Sequence, residues 1–156
     1  MNRSLRNTRE YDGNRYHLVR DCVQYQRPFA VYNFTSSNQY NEFLNDIDAF
    51  GKLNYCLQTI TSLAQRHNRL RMVYPSIFVT NYGTSVSTDD FKKIVKGSMD
   101  HYKMDSVVCL YNGAISVFYK NGSHHSIGTQ IYSSSHIKEF DSDFYQIEGT
   151  YYVFAP

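Results

Sequence analysis

The chain has 156 residues, enough to bury one core, and its 42% hydrophobic and 19% charged residues exclude a disordered tail or a low-complexity polymer. A net charge of +2 excludes a strong global field for polyanions. Three widely spaced cysteines, Cys22, Cys56 and Cys109, show no CxxC or zinc spacing and exclude a disulfide framework.

No apolar N-terminal run or bilayer-length stretch occurs, so the expected setting is cytoplasmic with no membrane contact, and the sequons at Asn33 and Asn121 are read as coincidental. The 15 Tyr and 10 Phe predict a core finished by amphipathic rings, with hydroxyls left at the surface. Residues 1–27 are arginine-rich (Arg3, Arg6, Arg9, Arg15, Arg20, Arg27), whereas Glu139, Asp141, Asp143 and Glu148 make the tail acidic.

In chain order, residues 1–9 offer only Leu5 as an apolar anchor, and Tyr11-Asp12-Gly13-Asn14 is turn chemistry. Tyr16 to Arg20 reads as a strand ending at Asp21, and Gln26-Arg27-Pro28 turns the chain into a second strand over Phe29 to Phe34. Ser36-Ser37-Asn38-Gln39 starts a helix, with a Ser cap and a Gln three residues on. Tyr40, Phe43, Leu44, Ile47, Phe50, Leu53, Leu57, Ile60 and Leu63 recur at spacings of three and four, which predicts one long amphipathic helix, eased at Gly51 and ending near Arg66-His67-Asn68. Pro75 opens a strand over residues 76–80. Ser87 or Thr88 caps a second helix whose stripe is Phe91, Ile94, Val95, Met99 and Tyr102, with Asp89 and Asp90 in its first turn. Ser106 to Tyr111 and Ala114 to Lys120 flank an Asn112-Gly113 hairpin turn; Asn121-Gly122 turns into a strand towards Ile131, and a last strand spans Gly149 to Phe154.

Helices alternating with strands imply parallel pairing at the centre of the sheet. An Asp on the first strand of a hairpin, an apolar second strand, a long helix, then strand, helix and strand resembles the PD-(D/E)XK, or restriction-endonuclease-like, nuclease superfamily over residues 10–120. The resemblance implies an α/β fold over a single domain, residues 1–156: a central mixed β-sheet flanked by helices, followed by a C-terminal antiparallel meander. It places Asp21 at the first carboxylate of the motif and at the metal. Asn33 and Thr35 stand where the second carboxylate and the lysine belong. Two carboxylates would hold Mg²⁺ and a lysine would stabilise developing charge, whereas Asn33 brings no charge and Thr35 no cation. Glu42 or Lys52 on the following helix would have to compensate.

The expectation is a catalytically degenerate nuclease fold that needs no cofactor and associates with nucleic acid or a protein partner, with a homodimer as a further expectation. Arg15, Arg20, Arg27, Lys92 and Lys93, with Arg66, Arg69, Arg71 and Lys96, are the phosphate contacts, and Tyr11, Tyr16 and Tyr25 the stacking platforms. The alternatives are an active Mg²⁺-dependent nuclease, a viral or mobile-element interaction module, and a cysteine hydrolase using Cys22, His124 or His125, and Asp141 or Asp143. His124, His125 and His136 do not read as a metal set, because neighbours on a strand face opposite ways.

Overall fold

The computed structural model describes residues 15–50, 52–63, 71–136, 140 and 142–156. Arg3, Leu5, Arg6, Arg9, the Tyr11–Asn14 turn, Gly51, Arg66–Arg69, Glu139 and Asp141 lie outside the described residues.

The first element is a helix, α1 (Tyr16–Gln24), where a strand is expected. Tyr16, Val19, Cys22 and Val23 recur at spacings of three and four and are buried together with Leu18, a helical stripe that the β-branched residues disguise. Gln26 takes a left-handed φ of 52°. The Arg27 amide then donates to Cys22 O (2.8 Å) and the Gln26 amide to Val23 O (3.3 Å), the paired bonds of a Schellman stop. There is therefore no hairpin between residues 16 and 34.

β1 (Phe29–Asn33) leads into α2 (Ser37–Phe50). Ser36 Oγ accepts from the Gln39 amide (3.2 Å), as the Ser-x-x-Gln pattern predicts. The helix stops at Phe50, and the expected continuation to residue 63 is instead β2 (Asn54–Leu63), paired along its full length with β3 (Arg71–Thr80). Pro75 lies within β3 and not at its start. Its carbonyl accepts from the Phe34 amide just beyond the last β1–β3 pair, so the missing N–H faces the end of β1 and leaves the β2 ladder intact. α3 (Thr88–His101) is capped by Ser87, which accepts from the Asp90 amide, with Asp89 and Asp90 in the first turn. β4 (Ser106–Tyr111), β5 (Ala114–Tyr119) and β6 (His124–Gly128) form the expected meander. The strand towards Ile131 splits at Thr129, giving β7 (Gln130–Ser134), and β8 (Phe144–Ile147) precedes β9 (Thr150–Ala155).

The nine strands of the described residues share one sheet in the order β6-β5-β4-β1-β3-β2-β8-β9-β7. Every described pairing is antiparallel, which corrects the expected mixed sheet. The physical reason lies in the two helical crossovers. β1 and β2 run in the same direction, as do β3 and β4, but each crossover steps over one strand of the other, giving the order β4-β1-β3-β2. The edge strands β6 and β7 are separated by Thr129 alone, so the sheet curls until its edges meet and becomes a nearly closed barrel. This replaces the expected flat sheet flanked by helices.

Alternation divides the core in two. Phe29 and Val31 of β1, with Cys56, Phe78, Val108, Ile115, Tyr145, Tyr152 and Phe154, point inward and enclose the apolar stripe of α1. Ala30 and Tyr32 of β1, with Tyr55, Ile77, Val79 and Val107, point outward beneath Phe43 and Ile47 of α2 and Phe91 and Met99 of α3. The tyrosines are more deeply placed than expected: Tyr32, Tyr55 and Tyr152 are each no more than 2% exposed. Among the described residues no helix is long and apolar enough to cross a membrane.

Candidate functional site

α2 and α3 lie antiparallel on the outer face. Gln39 Nε2 near the start of α2 donates to Tyr102 O just past the end of α3 (2.7 Å), and the Phe43 and Tyr102 rings meet edge-on at 5.1 Å. Between the helices is a cleft of about 680 Å³. Its floor is apolar: Tyr32 and Val79 from the sheet, Phe43 and Ile47 from α2, Leu53, and Phe91 from α3. Lys93, Gly97 and His101 recur every four residues along α3 and form one wall. A Cβ added at Gly97 would meet nothing within 4 Å, so this glycine leaves the wall open where alanine would favour the helix by about 1 kcal/mol.

The two ends of the cleft differ in charge. Lys52, just past α2, and Lys93, in the N-terminal half of α3, make one end cationic. At the other end Glu42 and Asp46, one turn apart on α2, converge with His101, their ligand atoms all within 4.8 Å of one another. His101 Nε2 lies 3.8 Å from Glu42 Oε1. The Tyr102 hydroxyl donates to the Asp46 carboxylate. Burial, then that hydrogen bond and the negative charge of Asp46, hold the phenol well above its ordinary pKa, so Tyr102 stays a donor.

Of the residues expected at a nuclease centre, Glu42 and Lys52 border this cleft, whereas Asp21, Asn33 and Thr35 lie away from it. Asp21 lies on α1 and pairs with its neighbour Arg20 at 3.4 Å. Asn33 closes β1 inside the barrel, where its carbonyl accepts from Ser76 Oγ (2.9 Å) and its amide donates to the Tyr145 hydroxyl (3.4 Å). Ser76 also accepts from Gln58 Nε2 (3.2 Å), and Gln58 Oε1 accepts from Tyr152 (2.6 Å). Asn33 is thus built into a lumenal polar network. Thr35 is exposed between β1 and α2. Among the described residues, the one cluster of three metal-ligating side chains is Glu42, Asp46 and His101, and Asp21 is not a member of it.

The cationic residues are also dispersed. Arg15 pairs with Glu148 at 2.9 Å, and Arg27 lies over the Tyr82 ring at 5.3 Å. Arg20 belongs to the helix packed inside the barrel, whereas Lys92 and Lys93 belong to α3 on the outside. Of the expected stacking rings, Tyr16 is buried and Tyr25 is exposed.

Cys22 does not have the surroundings of a nucleophile. Its thiol donates to Thr80 Oγ1 (3.4 Å) within the core, and burial pushes its pKa up to about 12. His125 Nδ1 contacts the Tyr119 hydroxyl (3.1 Å), and His124 packs on Tyr111 and Phe118. Iodoacetamide at pH 8 is accordingly expected to leave Cys22 and the equally buried Cys56 unmodified in the native protein, with half-buried Cys109 reacting first. Mass mapping of the alkylated peptides checks this, and rapid labelling of Cys22 would contradict the burial argument.

No protein-family model, curated protein or solved structure matches this chain. The cleft stands on its own geometry. Lys52, Lys93 and Glu42 are visible in the sequence as charged residues in or beside helices, and the four-residue stride of Lys93, Gly97 and His101 is equally visible. The pairing of the two helices, which joins them into one site, is not.

Proposed function

We propose that the protein is a binding module whose α2–α3 cleft receives a small amphipathic anion. Its apolar body would rest on Tyr32, Phe43, Ile47, Leu53 and Phe91, and its acidic head would lie at Lys52 and Lys93. The observation that carries this reading is the cleft itself. At about 680 Å³ it falls within the roughly 300–1,000 Å³ of small-molecule sites, with a mainly apolar floor, charged groups at its ends and few other polar groups. Gly97 keeps the wall open at a position where helix propensity alone favours any larger residue.

The test is a fluorescence titration with 1-anilinonaphthalene-8-sulfonate, an apolar ring system with an anionic group. Saturable one-to-one binding is expected in the native protein, abolished by Gly97→Phe and weakened about tenfold by Lys93→Glu, a change of about 1.4 kcal/mol. Circular dichroism of both variants should match the native spectrum. Fluorescence indifferent to Gly97→Phe would refute the cleft as the binding site. Association with nucleic acid through Arg20 and Arg27 is the other non-catalytic reading. It would appear as a salt-dependent mobility shift that Gly97→Phe does not alter.

A further inference from the structure

We propose that Glu42, Asp46 and His101 form a site for a first-row divalent transition cation at the anionic mouth of the cleft. This inference does not depend on any organic ligand occupying the cleft.

Three potential ligand atoms from two rigid helices lie within 4.8 Å of one another, close enough for small side-chain rotations to bring all three onto one ion. Their chemistry is two hard carboxylate oxygens and one imidazole nitrogen. The imidazole favours Zn²⁺, Co²⁺ or Ni²⁺ over Mg²⁺ and Ca²⁺, which prefer all-oxygen sets. Three protein ligands also leave coordination positions open, as sites that act on a bound molecule require.

The surroundings orient the set. Tyr102 is the positioning residue: its hydroxyl fixes one oxygen of Asp46, and its ring packs edge-on against His101, with centroids 4.7 Å apart and planes at 89°. Gln39 fastens Tyr102 in turn through its carbonyl (2.7 Å). Such outer partners commonly control affinity by ten- to a hundredfold. Glu42 and Asp46 repel one another, and among the described residues no Lys or Arg forms an ion pair with either. A cation would offset that repulsion. His101 in the last turn of α3 adds the negative end of the helix dipole to the same place.

Titration of the full chain with Co²⁺, followed by its visible absorption and by competition with Zn²⁺, tests the site. One equivalent is expected to bind, to be displaced by Zn²⁺ and to be untouched by millimolar Mg²⁺. The spectrum should lack an intense thiolate-to-metal band, because no cysteine belongs to the set. His101→Ala and Asp46→Asn should each weaken binding at least tenfold, and Tyr102→Phe about tenfold, with native circular dichroism in all three. No saturable uptake, uptake unchanged in His101→Ala and Asp46→Asn, or a strong thiolate band would each overturn the proposal. Weakening by His101→Ala and Asp46→Asn with Tyr102→Phe unchanged would uphold the ligands and remove Tyr102 from its positioning role.

Discussion

On titration to alkali the protein is expected to unfold cooperatively near pH 11, with the buried Tyr32, Tyr145 and Tyr152 ionising in that same step. The interior holds acids that cannot ionise in place. Burial raises Cys22 from an ordinary 9.0 to about 12 and Tyr145 from 10.0 to about 12, and likewise holds Cys56, Tyr32 and Tyr152 well above their ordinary values. Below pH 9 the folded and unfolded chains both keep these protons, and folding suffers no penalty. Above it the unfolded chain releases them and the folded chain does not, so each group subtracts about 1.4 kcal/mol per pH unit beyond its unfolded pKa. By pH 11 the five together remove roughly 10 kcal/mol, comparable with the whole stability of an ordinary domain. The part of the tyrosinate absorbance at 295 nm that comes from these three buried rings should therefore appear together with the loss of far-ultraviolet circular dichroism. Gradual tyrosine ionisation with circular dichroism intact to pH 12 would show the interior to be open to hydroxide.

The same burial explains what the sequence discloses and what it hides. Features decided within a few residues are legible: the serine caps at Ser36 and Ser87, the Asn112-Gly113 turn and the strand after Pro28. β2 is misread because both its faces are covered. Tyr55 and Leu57 pack outward, while Cys56 and Ile60 pack inward, so the alternation that marks a one-sided strand vanishes. Leu53, Leu57, Ile60 and Leu63 are left imitating a helical stripe. α1 is misread for the opposite reason, since Val19 and Val23 supply β-branched side chains to a helix that fills the barrel. Antiparallel pairing throughout is a long-range result. The crossovers β1–α2–β2 and β3–α3–β4 have the geometry expected of parallel neighbours, and only their interleaving inserts an antiparallel strand between each pair. The cleft is hidden on the same account, because Glu42 and His101 are 59 positions apart in the sequence and meet only when two helices cross the same face.

That interleaved sheet closes at Gly128, and Gly128→Ala is expected to be among the most damaging single-methyl changes available. The chain passes there from one edge of the sheet to the other, and the Thr129 amide donates to Ala155 O (3.1 Å), beside the Gln130–Ala155 pair of the β7–β9 ladder. A Cβ at residue 128 would stand 2.5 Å from Pro156 N and closer still to the carbonyl of Ala155. The obstruction is backbone, which cannot swing aside as a side chain would. The φ of +156° adds a conformation that residues with a side chain rarely adopt. Opening of the seam should also expose the free edges of β6 and β7 to another chain. The expected result is a loss of about 3 kcal/mol, read as a fall in Tm of about 10 °C, with larger species on size-exclusion chromatography. Gly122→Ala is the control. Its φ of +90° carries the same kind of backbone strain, but nothing lies within 4 Å of the added methyl, so about 1 kcal/mol and no change in size are expected. If the two variants melt together, backbone conformation alone sets the requirement at residue 128; if Gly128→Ala melts far below Gly122→Ala, the close approach of β6 to the end of β9 sets it.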